Sequence, residues 1–426
     1  MSENRLVVVY DLSAAGPAEI LAGLKGLGEV TFAVNPSDFT RRLLPLLREL
    51  AEVVMLGEPA SRERLRSLQP SGILTLSDSM VLQTAALAAD LGLTYHTPGT
   101  AELLTSKYAQ RRRLWEDGVG RVRSCLLQSP LDWPRAFREV GLPAVLKPLR
   151  GQGSRNTYLI EDERQGRRTV EELLLDTSPG SVQETALVLE TFLRGKDCDP
   201  FGDYVSVESI VSRGVVSHFA VTGKFPLAPP FREVGQFWPA LLEPEEKDAV
   251  LDLTGRAIKS LGVACGILHT EIKRTEDGPE VIEVNGRLGG LIDRLCFTAT
   301  GINLIQVVGR LALAEHVELP ELPLKGVTFQ HTTLPPTEGC RLEEIHGARE
   351  VRRMEGITTY RPLVAPGSEI DGGVGTHYLD YLCGTAADHT AMESRLHNAL
   401  DQLSFTFTLQ GGCTATTSAR ALTRMR

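Results

Sequence analysis

The first hundred residues alternate short apolar runs with segments whose apolar positions recur at helical spacing. LVVVY, VTFAV, EVVML and GILTL read as strands, and Ala18–Leu27, Phe39–Leu50 and Val81–Leu91 as helices between them. Strands separated by helices need crossover connections, so residues 1–100 are expected to form a parallel α/β domain. From Thr100 to Gly118 the pattern predicts a helical segment carrying Lys107, and VRSCLLQS then opens a strand. PAVLKP ends another apolar strand at Lys147, and LVLETFL supplies a further one. Residues 205–310 hold more strands and the helix Glu245–Leu261; past the proline-marked Leu319–Pro323, short strands and turns run on to helix Asp388–Leu403 and strand SFTFTL. There is no internal repeat. The small, polar tail Gly411–Arg426 ends in basic residues and is expected to fray.

The sharpest pattern lies in HTEIKRTEDGPEVIEVNGRLGG, His269–Gly290. In EVIEVNGR, Glu283, Asn285 and Arg287 fall at every second residue, so a strand points them to one face, with Val281 outside that polar series. Ile282 and Val284 form the opposite face, fit for a core. LHTEIKR alternates in the same way, and Glu276-Asp277-Gly278 predicts a short hairpin loop with glycine in the left-handed position. Centred on Asp277, the hairpin sets Glu271 opposite Glu283. Two carboxylates facing each other across a ladder repel, and a divalent cation between them relieves the repulsion. Carboxylates, an amide oxygen and phosphates suit Mg²⁺. A polar hairpin face turned to water would show the same alternation, so the neighbouring motifs decide between the two readings.

Composition narrows the classes. The 426 residues, 42% hydrophobic and 23% charged, suit a globular enzyme of several structural units. A net charge of -9 gives nucleic acid no electrostatic reason to bind, and the basic runs Arg111–Arg113 and Arg352–Arg353 read as solvated faces. No apolar run approaches the roughly 20 residues that span a bilayer. Glu3 and Asp11 flank the first strand where a signal peptide would be apolar, so a cytoplasmic protein is expected. Seven scattered cysteines without a CxxC pair predict reduced thiols and no zinc site, with Cys265 and Cys296 in the core.

After Lys147 comes a loop with Gly151, Gly153, Ser154 and Asn156. Glycines let backbone N–H groups approach oxyanions, Ser154 and Asn156 add donors, and Lys147 adds a point charge. A glycine-rich turn alone is weak evidence, and a single helical lysine such as Lys107 is ordinarily a surface residue. The first strand is followed by DLSAAG, which lacks GxGxxG and therefore does not mark a dinucleotide site.

Taken in order, Lys107, PAVLKP, the loop Arg150–Asn156, LETFLRG, VSVESIV and E…EVNGRLGG resemble the ATP-grasp superfamily over roughly residues 100–310. The stretch REVGQFWPALL, the HTEIK segment and the turn-rich C-terminal region are similar to carboxylate-amine ligases that join amino acids, the L-amino acid ligases or dipeptide synthetases. The resemblance implies an ATP-grasp fold of two α+β lobes after the N-terminal α/β domain: a small lobe over 101–195, a large lobe over 196–318 and a β-rich C-terminal lobe over 319–410. It implies ATP and Mg²⁺, with Mn²⁺ able to substitute. Glu190 would accept from the adenine amine beside the backbone of Phe192 and Leu193, with Glu184 and Asp197 as further nucleotide-side groups. Lys107 and Lys147 would hold phosphates under the loop of Gly151, Gly153 and Ser154. Glu271, Glu283 and Asn285 would bind metal, and Arg287 the transferred phosphoryl group.

The implied reaction activates a carboxylate as an acyl phosphate and lets an amine displace the phosphate. Arg287 and the backbone near Gly289 and Gly290 would face the oxyanion. Glu233 would orient the amine or take its proton, although a surface ion-pairing glutamate reads equally well there. Leu291 would line the acid pocket, leaving more room than tryptophan. His269, Phe237 and Trp238 are either walls of that pocket or core residues. The partners would be small-molecule acids and amines, in a homodimer as in similar ligases. A ligase for a purine or other metabolic intermediate, a phosphotransferase that needs no amine, and a degenerate nucleotide-binding regulator are the competing readings.

Overall fold

In the computed structural model, which describes residues 4–175, 183–320, 322 and 324–424, the four N-terminal apolar runs become strands β1 (Arg5–Tyr10), β2 (Glu29–Val34), β3 (Glu52–Met55) and β4 (Gly72–Leu74). They form a parallel sheet in the order β3-β2-β1-β4. Both faces are covered, which is why β1 is apolar throughout rather than alternating. Leu6 and Val8 pack with Leu304 and Val308 of helix Leu304–Ala312, while Val7 and Val9 pack with Leu65 and Leu87. This domain is thereby joined to the rest of the chain through a hydrophobic core. A helix over Ser61–Ser67, not anticipated from the sequence, links β3 to β4.

The single helical segment expected over Thr100–Gly118 is two helices, Pro98–Thr105 and Lys107–Glu116. Ser106 between them has extended backbone and its Oγ accepts from the Ala109 N–H at 3.3 Å. A serine cap therefore starts the second helix and makes Lys107 its first residue.

Strands β5 (Ser124–Leu127), β6 (Ala144–Pro148), β7 (Tyr158–Ile160) and β8 (Leu187–Thr191) form an antiparallel sheet ordered β5-β8-β6-β7. Its core surrounds Trp133. Helix Glu163–Leu175 can approach that indole only through Gly166, where an added Cβ would lie 2.0 Å from Trp133.

β9 (Tyr204–Ser212), β10 (Val215–Lys224), β11 (Gly235–Trp238), β12 (Gly266–Thr275), β13 (Gly278–Asn285) and β14 (Val327–His331) belong to an eight-stranded sheet. The next strands are β15 (Cys340–His346), β16 (Ile357–Pro362), β17 (Glu369–Ile370), β18 (Asp380–Ala386), β19 (Ser404–Leu409) and β20 (Thr414–Ser418). The large sheet runs β13-β12-β9-β10-β11-β14-β18-β16, so three strands beyond residue 318 continue it. The others form a sheet ordered β17-β15-β19-β20.

Over its described residues, 411–424, the tail does not fray as expected, and the last two residues of the expected tail lie outside the described residues. β20 pairs along β19, and Ala419 and Leu422 of the following helix are buried in the C-terminal core. Threonine-rich sequence suits a largely exposed edge strand, and its polarity hid that role. All seven cysteines are free thiols; Cys296 is buried and Cys265 only partly so. No single helix among the described residues is long and apolar enough to cross a membrane.

Candidate functional site

The β12–β13 hairpin aligns Glu271 directly with Glu283 and His269 with Asn285. It turns through Glu276 and Asp277 into Gly278, whose φ of +99° fits the glycine there. The alternation breaks once. Ile272 pairs with Val281, leaving Ile282 as an extra residue at a bulge. Val281 and Val284 therefore fill the core, and Ile282, expected there with Val284, is only partly buried.

Lys107 is not the surface residue its sequence context suggested. Its side chain is 10% exposed, and Nζ donates to Glu283 at 2.5 Å and to the Gly151 carbonyl at 3.1 Å. Burial would lower its pKa, but Glu283, with Asp78 and Glu271 behind it, raises it. On the opposite strand, His269 Nδ1 lies 2.7 Å from buried Glu208 and Nε2 3.6 Å from Glu271. Burial disfavours the imidazolium, yet Glu208 and Glu271 prevail and hold His269 at about 9. His269 is thus a buried cation between two carboxylates. The Glu271 carboxyl is driven below its usual range because His269, Lys224 and Lys107 outweigh desolvation.

Asn285 is buried: its Nδ2 donates to the His269 carbonyl at 3.3 Å, and its Oδ1 accepts from Arg287 at 3.4 Å. Arg287 Nε also lies 3.5 Å from Asp78, which the N-terminal domain contributes. No sequence motif marks that aspartate. Among the described residues no cluster of three His, Cys, Asp or Glu side chains forms a metal cage. Two opposed glutamates with an adjacent amide oxygen nevertheless make an all-oxygen donor set. It fits Mg²⁺ completed by ligand oxygens.

Lys147, next to last in β6, has Nζ 2.8 Å from Glu190 on β8, and Arg111 Nε lies 3.2 Å from the other Glu190 oxygen. Burial would raise the Glu190 carboxyl, but Arg111 and Lys147 hold it at about 2. Burial, with Arg111 and Lys107 nearby, lowers the Lys147 pKa against the pull of Glu190. The Glu190 carboxylate, expected on adenine, is engaged with these two cations. The Phe192 N–H, expected to help bind the same base, donates to the Pro143 carbonyl at 3.2 Å because the chain extends the strand pairing, and Leu193 follows it, half-buried.

Glu184 and Asp197, expected on the nucleotide side, have protein partners. Buried Glu184 accepts from Asn156 Nδ2 at 2.7 Å and from Arg155, which fastens it to the glycine loop. Exposed Asp197 accepts from the Asp199 N–H at 3.1 Å and closes its own turn. In the loop, Gly151 (φ +146°), Gly153 (+65°), Ser154 (+53°) and Asn156 (+50°) curl the backbone. A C-terminal segment holds the loop: Asn156 N–H donates to the Val374 carbonyl at 3.0 Å, and Thr376 N–H to the Gly153 carbonyl at 2.7 Å.

A pocket at Gly290 brings together Glu233, Gly290 and Leu291. Glu233 accepts from Tyr204 Oη at 3.0 Å and lies 3.5 Å from Lys224. Leu291 has φ +61° at the start of helix Ile292–Thr300. Tyr378, Gln330, Lys224 and Gln236 also line the pocket. These four come from separate segments, without a shared motif, and sequence reasoning missed them. His269 does not line this pocket, and Phe237 and Trp238 are buried in hydrophobic cores. Phe237 packs against Phe201 and Phe225 at ring separations of 4.7 and 5.3 Å.

Residues 140–294 match the ATP-grasp domain family. The chain is 27% identical to carnosine synthase 1 of Mus musculus over 316 residues, covering 68% of this chain and 37% of that protein. It is 25% identical to alanine–anticapsin ligase of Bacillus amyloliquefaciens, covering 80% of this chain and 72% of that one. The solved L-amino acid ligase of Bacillus licheniformis superposes with a TM-score of 0.76 at 22% identity, covering 94% of this chain and 98% of the other, and shows the same fold.

Proposed function

Taking as premise that the chain is a member of the ATP-grasp superfamily, we propose that it joins an amino acid or other small carboxylic acid to the amine of an amino acid, releasing ADP and phosphate. One observation carries this reading. The segment Glu283–Leu291 leads directly from the cation-supported glutamate pair to the pocket that holds Glu233.

A carboxylate is a poor electrophile with no leaving group, and phosphorylation supplies one. A carboxylate oxygen of the acid attacks the γ-phosphorus as the bond to the ADP oxygen breaks. The amine then attacks the acyl carbon, phosphate departs with its bridging oxygen, and the amine loses a proton.

Lys107 and Lys147 hold phosphates, and the loop Arg150–Asn156 covers them. Glu271, Glu283 and Asn285 would hold Mg²⁺, which when bound neutralises phosphoryl charge. Mn²⁺ favours similar oxygen donors and would substitute. Arg287 binds the transferred group, and with the backbone at Gly290 it faces the oxyanion. Glu233, held by Tyr204, orients the amine or receives its proton. The ion pairs at Glu190 and Glu184 keep Lys147 and the loop in position. Seven free thiols and a need for ATP fit the reducing cytoplasm.

The test is ADP and phosphate release with MgATP across single amino acids and amino-acid pairs, with product masses. Release that needs two components and yields their condensed mass supports the ligase. ADP formed with one component and a stable phosphorylated product would replace it with a phosphotransferase.

A further inference from the structure

Lys224 ends β10 inside the pocket and is 3% exposed. Its ammonium donates to Gln236 Oε1 at 3.0 Å, lies 5.7 Å from the centre of the Tyr204 ring, and is 3.5 Å from Glu233. Gln236 is neutral, and its own Nε2 is committed to the Gly290 carbonyl at 3.1 Å. The Glu233 oxygen facing Lys224 already accepts from Tyr204. A buried ammonium has three donors and is costly to keep unless they and its charge are answered. Here one donor has a short neutral partner, and the nearest anion stands beyond normal hydrogen-bond reach. Lys224 therefore stands where the pocket meets the reacting end, tied through Gln236 to the Gly290 backbone.

We propose that Lys224 is a catalytic residue that binds the carboxylate of the acid substrate. The inference rests on the ligase reading. Lys224 holds one carboxylate oxygen while the other attacks phosphorus. The held oxygen becomes the acyl carbonyl and then bears the negative charge when the amine adds. The incoming carboxylate also takes over from Glu233 as the anion nearest Lys224, which leaves Glu233 with Tyr204 and available to the amine. One cation thus serves both half-reactions, and the acid substrate is one whose carboxylate enters the pocket lined by Glu233, Gln236 and Tyr378.

The experiment uses full-length wild type, Lys224→Met, Lys224→Arg and Lys224→Ala with the acid–amine pair that supports turnover. It measures KM for each substrate, kcat, MgADP affinity by calorimetry, and hydroxamate formed from acid, MgATP and hydroxylamine. Removing one oxyanion donor typically costs about 10²-fold in kcat. Lys224→Met should show a loss of that order, together with a raised KM for the acid and a matching loss of hydroxamate. MgADP affinity and KM for the amine should stay within about twofold. Lys224→Arg should recover part of the loss, and added ethylammonium should partly rescue Lys224→Ala. An unchanged acid KM and kcat in Lys224→Met would overturn the proposal, as would a parallel loss of MgADP affinity in all three variants. A wild type inactive with every acid–amine pair would instead overturn the ligase reading beneath it.

Discussion

Replacing Glu190 by glutamine keeps the shape of the side chain and removes the charge that Arg111 and Lys147 share. The folded carboxyl sits at about 2 against an ordinary 4.5. At about 1.4 kcal/mol per tenfold change in proton affinity, that difference corresponds to roughly 3 kcal/mol of stability at neutral pH. Breaking a buried pair so that one partner stays charged costs about 3–5 kcal/mol, which agrees. The sign follows from the depressed value: the contribution is complete above 4.5 and disappears as pH falls towards 2. Urea unfolding at pH 7, followed by tryptophan fluorescence, should therefore show Glu190→Gln less stable by about 3 kcal/mol. The deficit should shrink with saturating MgATP, whose phosphates would take over neutralisation of Lys147. Under the alternative role on adenine, the variant would keep wild-type stability and lose discrimination of ATP over GTP. That pair of results would refute the ion-pair account.

Gly166→Ala should lower the unfolding free energy of the small lobe in urea by about 1–3 kcal/mol, because the new methyl meets Trp133; an unchanged free energy would contradict that packing. Burial, aided by His397, pushes His331 down to about 3, so the unfolded chain binds a proton there first as pH falls below 6.5. Wild type should lose stability relative to His331→Asn between pH 6.5 and 3, measured as unfolding free energy against pH. Leu291→Trp should confine the acid spectrum to smaller side chains in a product screen, since the residue lines the pocket beside Glu233 and Tyr378. Chelation by EDTA should abolish ADP release, and Mg²⁺ or Mn²⁺ should restore it.

The glutamate hairpin was legible because its two determinants, period-two alternation and a glycine turn, are local. They placed Glu271 against Glu283 in the observed register. The bulge at Ile282 was not legible, because pairing of β12 with both β9 and β13 sets it. The parallel N-terminal sheet could be read from its spacing, whereas the helix Ser61–Ser67 has too few apolar positions to announce itself.

Side-chain partners were harder to read. Lys107 is buried only because Ser106 breaks the helix and the second helix docks on the hairpin. Glu190 sits at the expected point of its motif, yet its partners come from two distant segments, and a motif specifies position rather than partners. Lys224, Gln236 and Tyr378 share no spacing that a linear pattern could reveal.

The most direct measurement is isotopic. The acid of an active pair, labelled with ¹⁸O in its carboxylate, is turned over with MgATP and the amine, and the released phosphate is analysed by mass spectrometry. Activation through an acyl phosphate moves one ¹⁸O from the acid into the phosphate for each amide bond formed. Phosphate without the label, formed alongside the amide, would contradict the account.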